Sequence, residues 1–364
     1  MSKADKAKNI LNEYISRQCA VRNHRLPSER ELAQDLGFSR STIGKALGVL
    51  EGEGVIVRKI GAGTFIAKPK EHKNFTVALV MRNAYHYTDS HFRLIVEKVS
   101  EYAEKRNIYV QIFDRMTDMF QESPDDNRLL KAIRSGVVDG VLITSRMPLS
   151  IISKINALCP AVSINNIFGD GGEVPCISCD YFRAGFLAGK YLLENGHRQV
   201  AYVTENLDHP ESTFEFSGFK SALETGGVTL NTGNILETKL NLELFNQNIK
   251  NFFSGAKYTA CFVRSSSHAA RLVASLQELN IRVPEDLSVI ATGNYRNERQ
   301  NLMKLTTIDN QLAEMCELGL KILGAKYNQS GALFHGLTLL EPCLIEHDSV
   351  TNLNQMELIN NNRF

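Results

Sequence analysis

Ser39, Arg40, Ser41 and Thr42 stand in a row, and directly behind them Ile43, Ala46, Leu47 and Leu50 recur three and four residues apart. Apolar residues at that interval line one face of a helix, so the polar quartet opens it. Hydroxyls and free backbone N–H groups at such an end meet phosphate oxygens, and an arginine there forks onto a guanine edge. This is chemistry suited to nucleic acid. Lys45, Arg58 and Lys59 add positive charge close by in the sequence.

That quartet needs elements to hold it. Ala7, Ile10, Leu11, Tyr14 and Ile15 mark the buried face of an earlier helix. Pro27 precedes Ser28, and Glu31 follows three residues on, which predicts a capping box at the start of a second helix. Gly37 ends that helix, and the quartet begins the third. Helix, glycine-bearing turn, helix is the layout that places its second helix in a major groove. After Gly54, "VIVRK" and "GTFIA" read as two short strands joined through Gly61 and Gly63, whose missing side chains let backbone approach a sugar-phosphate chain. The same layout also serves as a protein-contact module. Local charge favours DNA: residues 1–70 carry 13 Lys and Arg against 7 Asp and Glu, leaving 28 against 33 for the remainder.

"LPSERELAQDLGFSRSTIGKALGVLEGEG" followed by "GAGTF" resembles the winged helix-turn-helix of GntR-family transcription regulators. The resemblance implies DNA contacts from Arg30, Ser39, Arg40, Ser41, Thr42, Gly61 and Gly63, with Ser28, Lys45 and Arg58 beside them. Where family members often carry Arg-Glu, this chain reads Gly44-Lys45, so its operator sequence is expected to differ.

The 364 residues exceed one ordinary domain, and 43% hydrophobic with 22% charged residues is a globular composition. No run approaches a membrane span, and "MSKADKAKNILNEYISRQ" lacks the apolar region of an export signal, so a cytoplasmic protein without membrane partners is expected. Seven cysteines, an odd number, fit reduced thiols, and Cys176 and Cys179 read as two half-buried thiols of a strand rather than metal ligands. No nucleophile elbow, phosphate loop, HExxH or GxGxxG is present, so neither an enzyme nor a cofactor is expected.

Beyond a polar linker at 68–74, strands such as "TVALVM", "YVQIF", "GVLIT" and "AVSIN" alternate with helical segments, and the alternation restarts after Asp180 with "QVAYVT", "TACFVR" and "LSVIAT". Two parallel doubly wound halves follow, with ligands expected at the carboxyl ends of their strands. Tyr85, Tyr87 and Phe92 could stack on a ring there, His86 and His91 are the histidines placed to touch a ligand, and Arg146 ends a strand.

"VDGVLI", "CDYFRAG", "ENGHRQVAYV" and above all "VPEDLSVI" resemble the effector domain of LacI and GalR-type repressors, itself similar to periplasmic sugar-binding proteins. The expected fold is therefore α/β: a small winged helix-turn-helix (1–67) and a two-lobed periplasmic-binding-protein-like body (75–348), with a flexible tail at 349–364. A GntR-type head on a LacI-type body is the arrangement of arabinose-responsive repressors. It implies a homodimer on operator DNA, released by a small sugar or sugar derivative. A binding protein of the periplasmic-receptor type, using the winged helix for protein contact, is the alternative.

The resemblance also implies effector contacts from Asn165, Asp180, Glu215, Ser265 and Asn294. Glu215 stands where such domains usually have an arginine, Ser265-Ser266 where Asn-Asp is frequent, and Thr292-Gly293-Asn294 where Phe-Asp-Asp is frequent. Losing both that arginine and the hydroxyl-accepting aspartate while gaining Glu215 argues against an acidic effector and for a neutral or amino-bearing one.

Overall fold

The computed structural model describes residues 3–18, 26–52, 55–59, 63–66, 75–81, 90–114, 127–145, 147–165, 174–238, 242–255, 258–293, 304–328 and 336–355. The chain divides into two compact units, Met1–Lys73 and Asn74–Phe364.

In the first unit, helices α1 (Lys3–Gln18), α2 (Glu29–Leu36) and α3 (Arg40–Gly52) precede an antiparallel hairpin of β1 (Ile56–Lys59) and β2 (Gly63–Ile66). The capping box forms: Glu31 N–H donates to Ser28 Oγ, and Ser28 N–H donates to the Glu31 carboxylate at 2.7 Å. Gly37 closes α2 at φ 70°, a conformation that costs glycine nothing. Ala7, Leu11 and Ile15 pack on Leu32, Ile43, Leu47, Leu50 and Ile56. Ile10, expected on that face, is 41% exposed, because the buried stripe runs along residues 7, 11 and 15.

The second unit holds two six-stranded sheets. The first contains β3 (Thr76–Val80), β4 (Tyr109–Phe113), β5 (Gly140–Ile143), β6 (Ala161–Ile164), β7 (Cys176–Cys179) and β13 (Leu337–Leu340), in the order β13-β7-β6-β5-β3-β4. The second contains β8 (Val200–Thr204), β9 (Ile235–Glu237), β10 (Ala260–Val263), β11 (Ser288–Thr292), β12 (Thr306–Asp309) and β14 (Cys343–Ile345), in the order β14-β12-β11-β10-β8-β9. Among the described residues every pairing in the second unit is parallel except β12 with β14. Central strands such as β5, β8 and β10 are buried along their whole length, as parallel strands covered on both faces must be. Cys176 and Cys179 are fully rather than half buried in β7.

Helices α4 (Ser90–Glu104), α5 (Arg128–Arg134), α6 (Leu149–Leu158) and α11 (Leu312–Tyr327) accompany the first sheet, and α7 (Tyr181–Glu194), α8 (Pro210–Thr225), α9 (Leu242–Phe253) and α10 (Ser266–Glu278) the second. The chain passes between sheets at Asp180, at Asn310-Gln311 and at Glu341-Pro342. The first two passages leave from the carboxyl ends of β7 and β12, so those edges of the two sheets lie beside the crossings. Helices α7 and α8 meet backbone to backbone: a Cβ on Gly185 would strike the Glu215 carbonyl, and one on Gly218 the Phe182 carbonyl.

Residues 349–355 are not the flexible tail that their polar sequence suggests. Ser349 is wholly buried, its Oγ donating to the Val289 carbonyl at 2.6 Å and accepting from Thr306 N–H at 2.8 Å. Leu353 N–H donates to the Asn195 carbonyl at 2.9 Å. The segment is polar because it satisfies the amino ends of buried strands, whose free backbone groups need partners. Residues 356–364 lie outside the described residues, as does the whole of the expected linker, 68–74.

Candidate nucleic-acid interface and effector site

Ser39 caps α3: Thr42 N–H donates to its Oγ at 3.2 Å, and its hydroxyl lies 2.7 Å from Thr42 Oγ1 and 3.1 Å from Ser41 Oγ. All three hydroxyls are thus drawn to one helix end, where the backbone N–H groups and the helix dipole favour an anion. Arg40 extends beside them with 75% of its side chain exposed. Arg30 and Lys45 are exposed too.

Arg58, expected to add charge at the hairpin, is held by side chains of the head. Its guanidinium lies 3.2 Å from Glu29 Oε1 and 3.6 Å from Glu51 Oε2, and one Nη donates to the Gly44 carbonyl at 3.3 Å. Glu29 also sits 3.7 Å from Arg40 Nε, so one carboxylate faces two arginines. With Gly44 at this point on α3, Glu29 has room: a Cβ there would touch its carboxylate at 3.6 Å. Ser28 spends its hydroxyl on the capping box. Gly63 adopts φ 109° at the start of β2, and Gly61 lies outside the described residues.

Among the described residues of the second unit, Ser145 Oγ after β5, Thr204 Oγ1 at the end of β8 and Arg264 Nε after β10 are buried without a hydrogen-bond partner. All three lie at carboxyl ends of strands. Buried polar atoms without partners are costly, and at the carboxyl ends of strands in both sheets they are what a ligand's hydroxyls would resolve.

Glu215 on α8 is fully buried rather than open to a ligand. Thr292 donates its hydroxyl to Oε1 at 2.6 Å, Tyr202 donates to Oε2 at 3.4 Å, and Arg264 Nε stands 3.7 Å from Oε2. Burial pushes the Glu215 carboxyl up, against the pull of Arg264 and the two hydroxyl donors. Burial pulls Arg264 down more than any single neighbour lifts it, but Glu215, Tyr181, Tyr202 and Glu211 together raise it and the guanidinium stays charged. Its carbon lies 5.5 Å from the centre of the Tyr181 ring, at the first passage between the sheets.

The other expected contacts scatter. Asp180 caps α7, Oδ1 accepting from Arg183 N–H at 2.9 Å. Asn165, at φ 54°, accepts the Ser178 hydroxyl at 3.1 Å. Ser265, at φ 85°, bonds Ser267 at 2.7 Å. Phe92 packs against the core from α4, edge-on to His91, rather than standing free to stack. Tyr85, His86, Tyr87, Arg146 and Asn294 lie outside the described residues. Arg264, Thr204 and Ser145 were not singled out from the sequence; the available signal was a lone arginine closing the apolar run "TACFV".

A groove of about 310 Å³ bordered by Arg198, Asn231 and Tyr258 lies at the amino ends of β8, β9 and β10, the edge opposite to where parallel sheets hold ligands. Among the described residues no His, Cys, Asp and Glu cluster could hold a metal, and no helix is long and apolar enough to cross a membrane.

Residues 3–66 match the bacterial regulatory proteins of the gntR family, and residues 190–350 match the periplasmic binding protein-like domain. The arabinose metabolism transcriptional repressor of Halalkalibacterium halodurans is 28% identical over 311 residues, covering 80% of each chain. That of Geobacillus stearothermophilus is 24% identical over 356 residues, covering 94% of this chain and 96% of the repressor. Among solved structures, a LacI family transcriptional regulator from Enterococcus faecium with bound ribose superposes with a TM-score of 0.65 at 22% identity, over 76% of this chain and 99% of the other. The transcription regulator CcpA of Lactococcus lactis does so at 0.64 and 20% identity, over 77% and 100%. The body therefore has the LacI and periplasmic-binding-protein fold.

Proposed function

We infer that this chain, a gntR-type head joined to a LacI-type body, is a DNA-binding transcription regulator, a repressor that a small sugar or sugar derivative releases from its operator. The observation that carries the reading is the capped N-terminus of α3, with Ser39, Ser41 and Thr42 gathered at one end and Arg40 exposed beside them. Relatives that match nearly the whole chain are named repressors of arabinose metabolism, and this favours regulation over a transport receptor or an enzyme.

In this reading residues 1–67 read the operator, 68–74 link, and 75–348 bind the effector and dimerise in the cytoplasm. One α3 in a groove contacts few phosphates; two on a pseudo-palindromic site add their contacts. An effector that binds one arrangement of the two lobes more tightly shifts the population toward it, and head spacing that mismatches the half-sites releases DNA.

Fluorescence anisotropy with an operator selected from random duplexes tests this. The full chain binds the selected duplex about 10³-fold or more tighter than random sequence, and L-arabinose or another sugar of a panel weakens that binding. Equal affinity for both duplexes would sink the regulator reading, and unchanged operator binding across the panel would sink the sugar effector.

A further inference from the structure

Glu215 and Arg264 form an unequal pair. Glu215 is fully buried and both its oxygens are occupied, by Thr292 and by Tyr202 with Arg264. Arg264 keeps 25% of its side chain accessible, and its Nε makes no hydrogen bond. A guanidinium carries five N–H donors in a fixed fork, and the single carboxylate at 3.7 Å does not satisfy them. Donors therefore remain for a molecule at the carboxyl ends of β8 and β10, where Thr204 also lacks a partner.

Charge settles what such a molecule can be. Glu215 cancels Arg264, Glu211 adds negative potential at the guanidinium, and Glu205 stands 3.9 Å from His268 on the next turn of chain. Fork donors without net positive charge suit hydroxyl lone pairs and offer an anion no net attraction.

We propose that Arg264 is the specificity-determining residue of the effector site, held and neutralised by Glu215 as its positioning residue, so that the site takes uncharged, hydroxyl-bearing molecules and rejects their anionic counterparts. The assignment rests on the reading of this edge as the effector site. It gives Glu215 a role different from direct contact: the carboxylate orients the fork and sets its charge from beneath.

Calorimetric titration of the full chain with matched pairs, L-arabinose and L-arabinonate, ribose and ribonate, galactose and galactonate, tests it. The wild type prefers the neutral member of the pair it binds by about tenfold or more. Glu215→Gln, which keeps shape while removing charge, moves that ratio toward the aldonate by about tenfold. Arg264→Met abolishes binding of both. Arg264→Lys, which retains charge but not the fork, weakens the neutral sugar by about tenfold while still rejecting the aldonate, and it carries the test should Glu215→Gln not fold. A ratio that Glu215→Gln leaves unmoved, or a neutral-sugar affinity that Arg264→Lys leaves unchanged, overturns the assignment alone. A wild type that binds selected operator but no member of any pair overturns the carbohydrate effector reading, and this assignment with it.

Discussion

The head and the body each set arginine against glutamate, but in opposite surroundings. In the head, Glu29 faces Arg40 and Arg58 across 3.7 and 3.2 Å with all three side chains partly in water. In the body, Arg264 faces a Glu215 that water never reaches. An exposed pair contributes roughly 0–1 kcal/mol and chiefly orients side chains, whereas removing one partner of a buried pair costs about 3–5 kcal/mol because the other charge is stranded. The difference suits the two surfaces. A head that meets a polyanion keeps its arginines adjustable, while a site for a small molecule fixes its donors before the ligand arrives.

The sharpest break of that comparison is Glu215→Ala. It strands Arg264 and frees the Thr292 hydroxyl, so the body should lose about 3–5 kcal/mol, read as a lower thermal or urea midpoint. A loss no larger than that of an exposed pair would mean that water reaches Glu215 after all. Arg40→Ala follows, acting on binding rather than folding: specific affinity should fall by about 1–3 kcal/mol, and non-specific affinity by less. Equal losses on selected and random duplex would make Arg40 a phosphate contact.

A third, smaller effect separates the units by pH. His197 is buried, with Nδ1 3.0 Å from the Thr259 hydroxyl and Nε2 3.0 Å from the Thr351 carbonyl. Burial lowers its pKa below 6.5, against the hydrogen bond to Thr351. The unfolded chain then takes the proton first, so the stability is full above pH 6.5 and drains as pH falls below it. Melts of the body between about pH 5 and 7.5 should show that slope, and His197→Gln should flatten it. A slope that persists in the variant would assign it to another group. Smallest of all, Glu29→Gln should change head stability by less than about 1 kcal/mol, yet narrow the gap between operator and random DNA, since Arg40 and Arg58 lose their common anchor. An unchanged gap would leave that carboxylate without a role in recognition.

Much of this was legible in advance where local chemistry decides. Ser28, Glu31 and Gly37 announce the ends of α2 because caps are set by residues within one turn. The apolar runs of β3, β5, β8, β10 and β11 announce buried parallel strands for the same reason. Ile10 shows the limit: it fits a helical stripe on paper but faces outward, because only the packing of α1 on α3 chooses the face.

What the sequence by itself determined is therefore the pair of units, the capped helix and its polar quartet, and the alternation that makes two parallel sheets. Tertiary structure alone decided which side chains meet. Glu215, Tyr202, Arg264 and Thr292 come from a helix, the middle of β8 and the carboxyl ends of β10 and β11, and Gly185 and Gly218 let α7 and α8 touch backbone to backbone beside them. The polar segment 349–355 was likewise assigned by the fold, since strands that end inside the protein must find partners for their backbone groups and no local pattern says which distant residues will supply them.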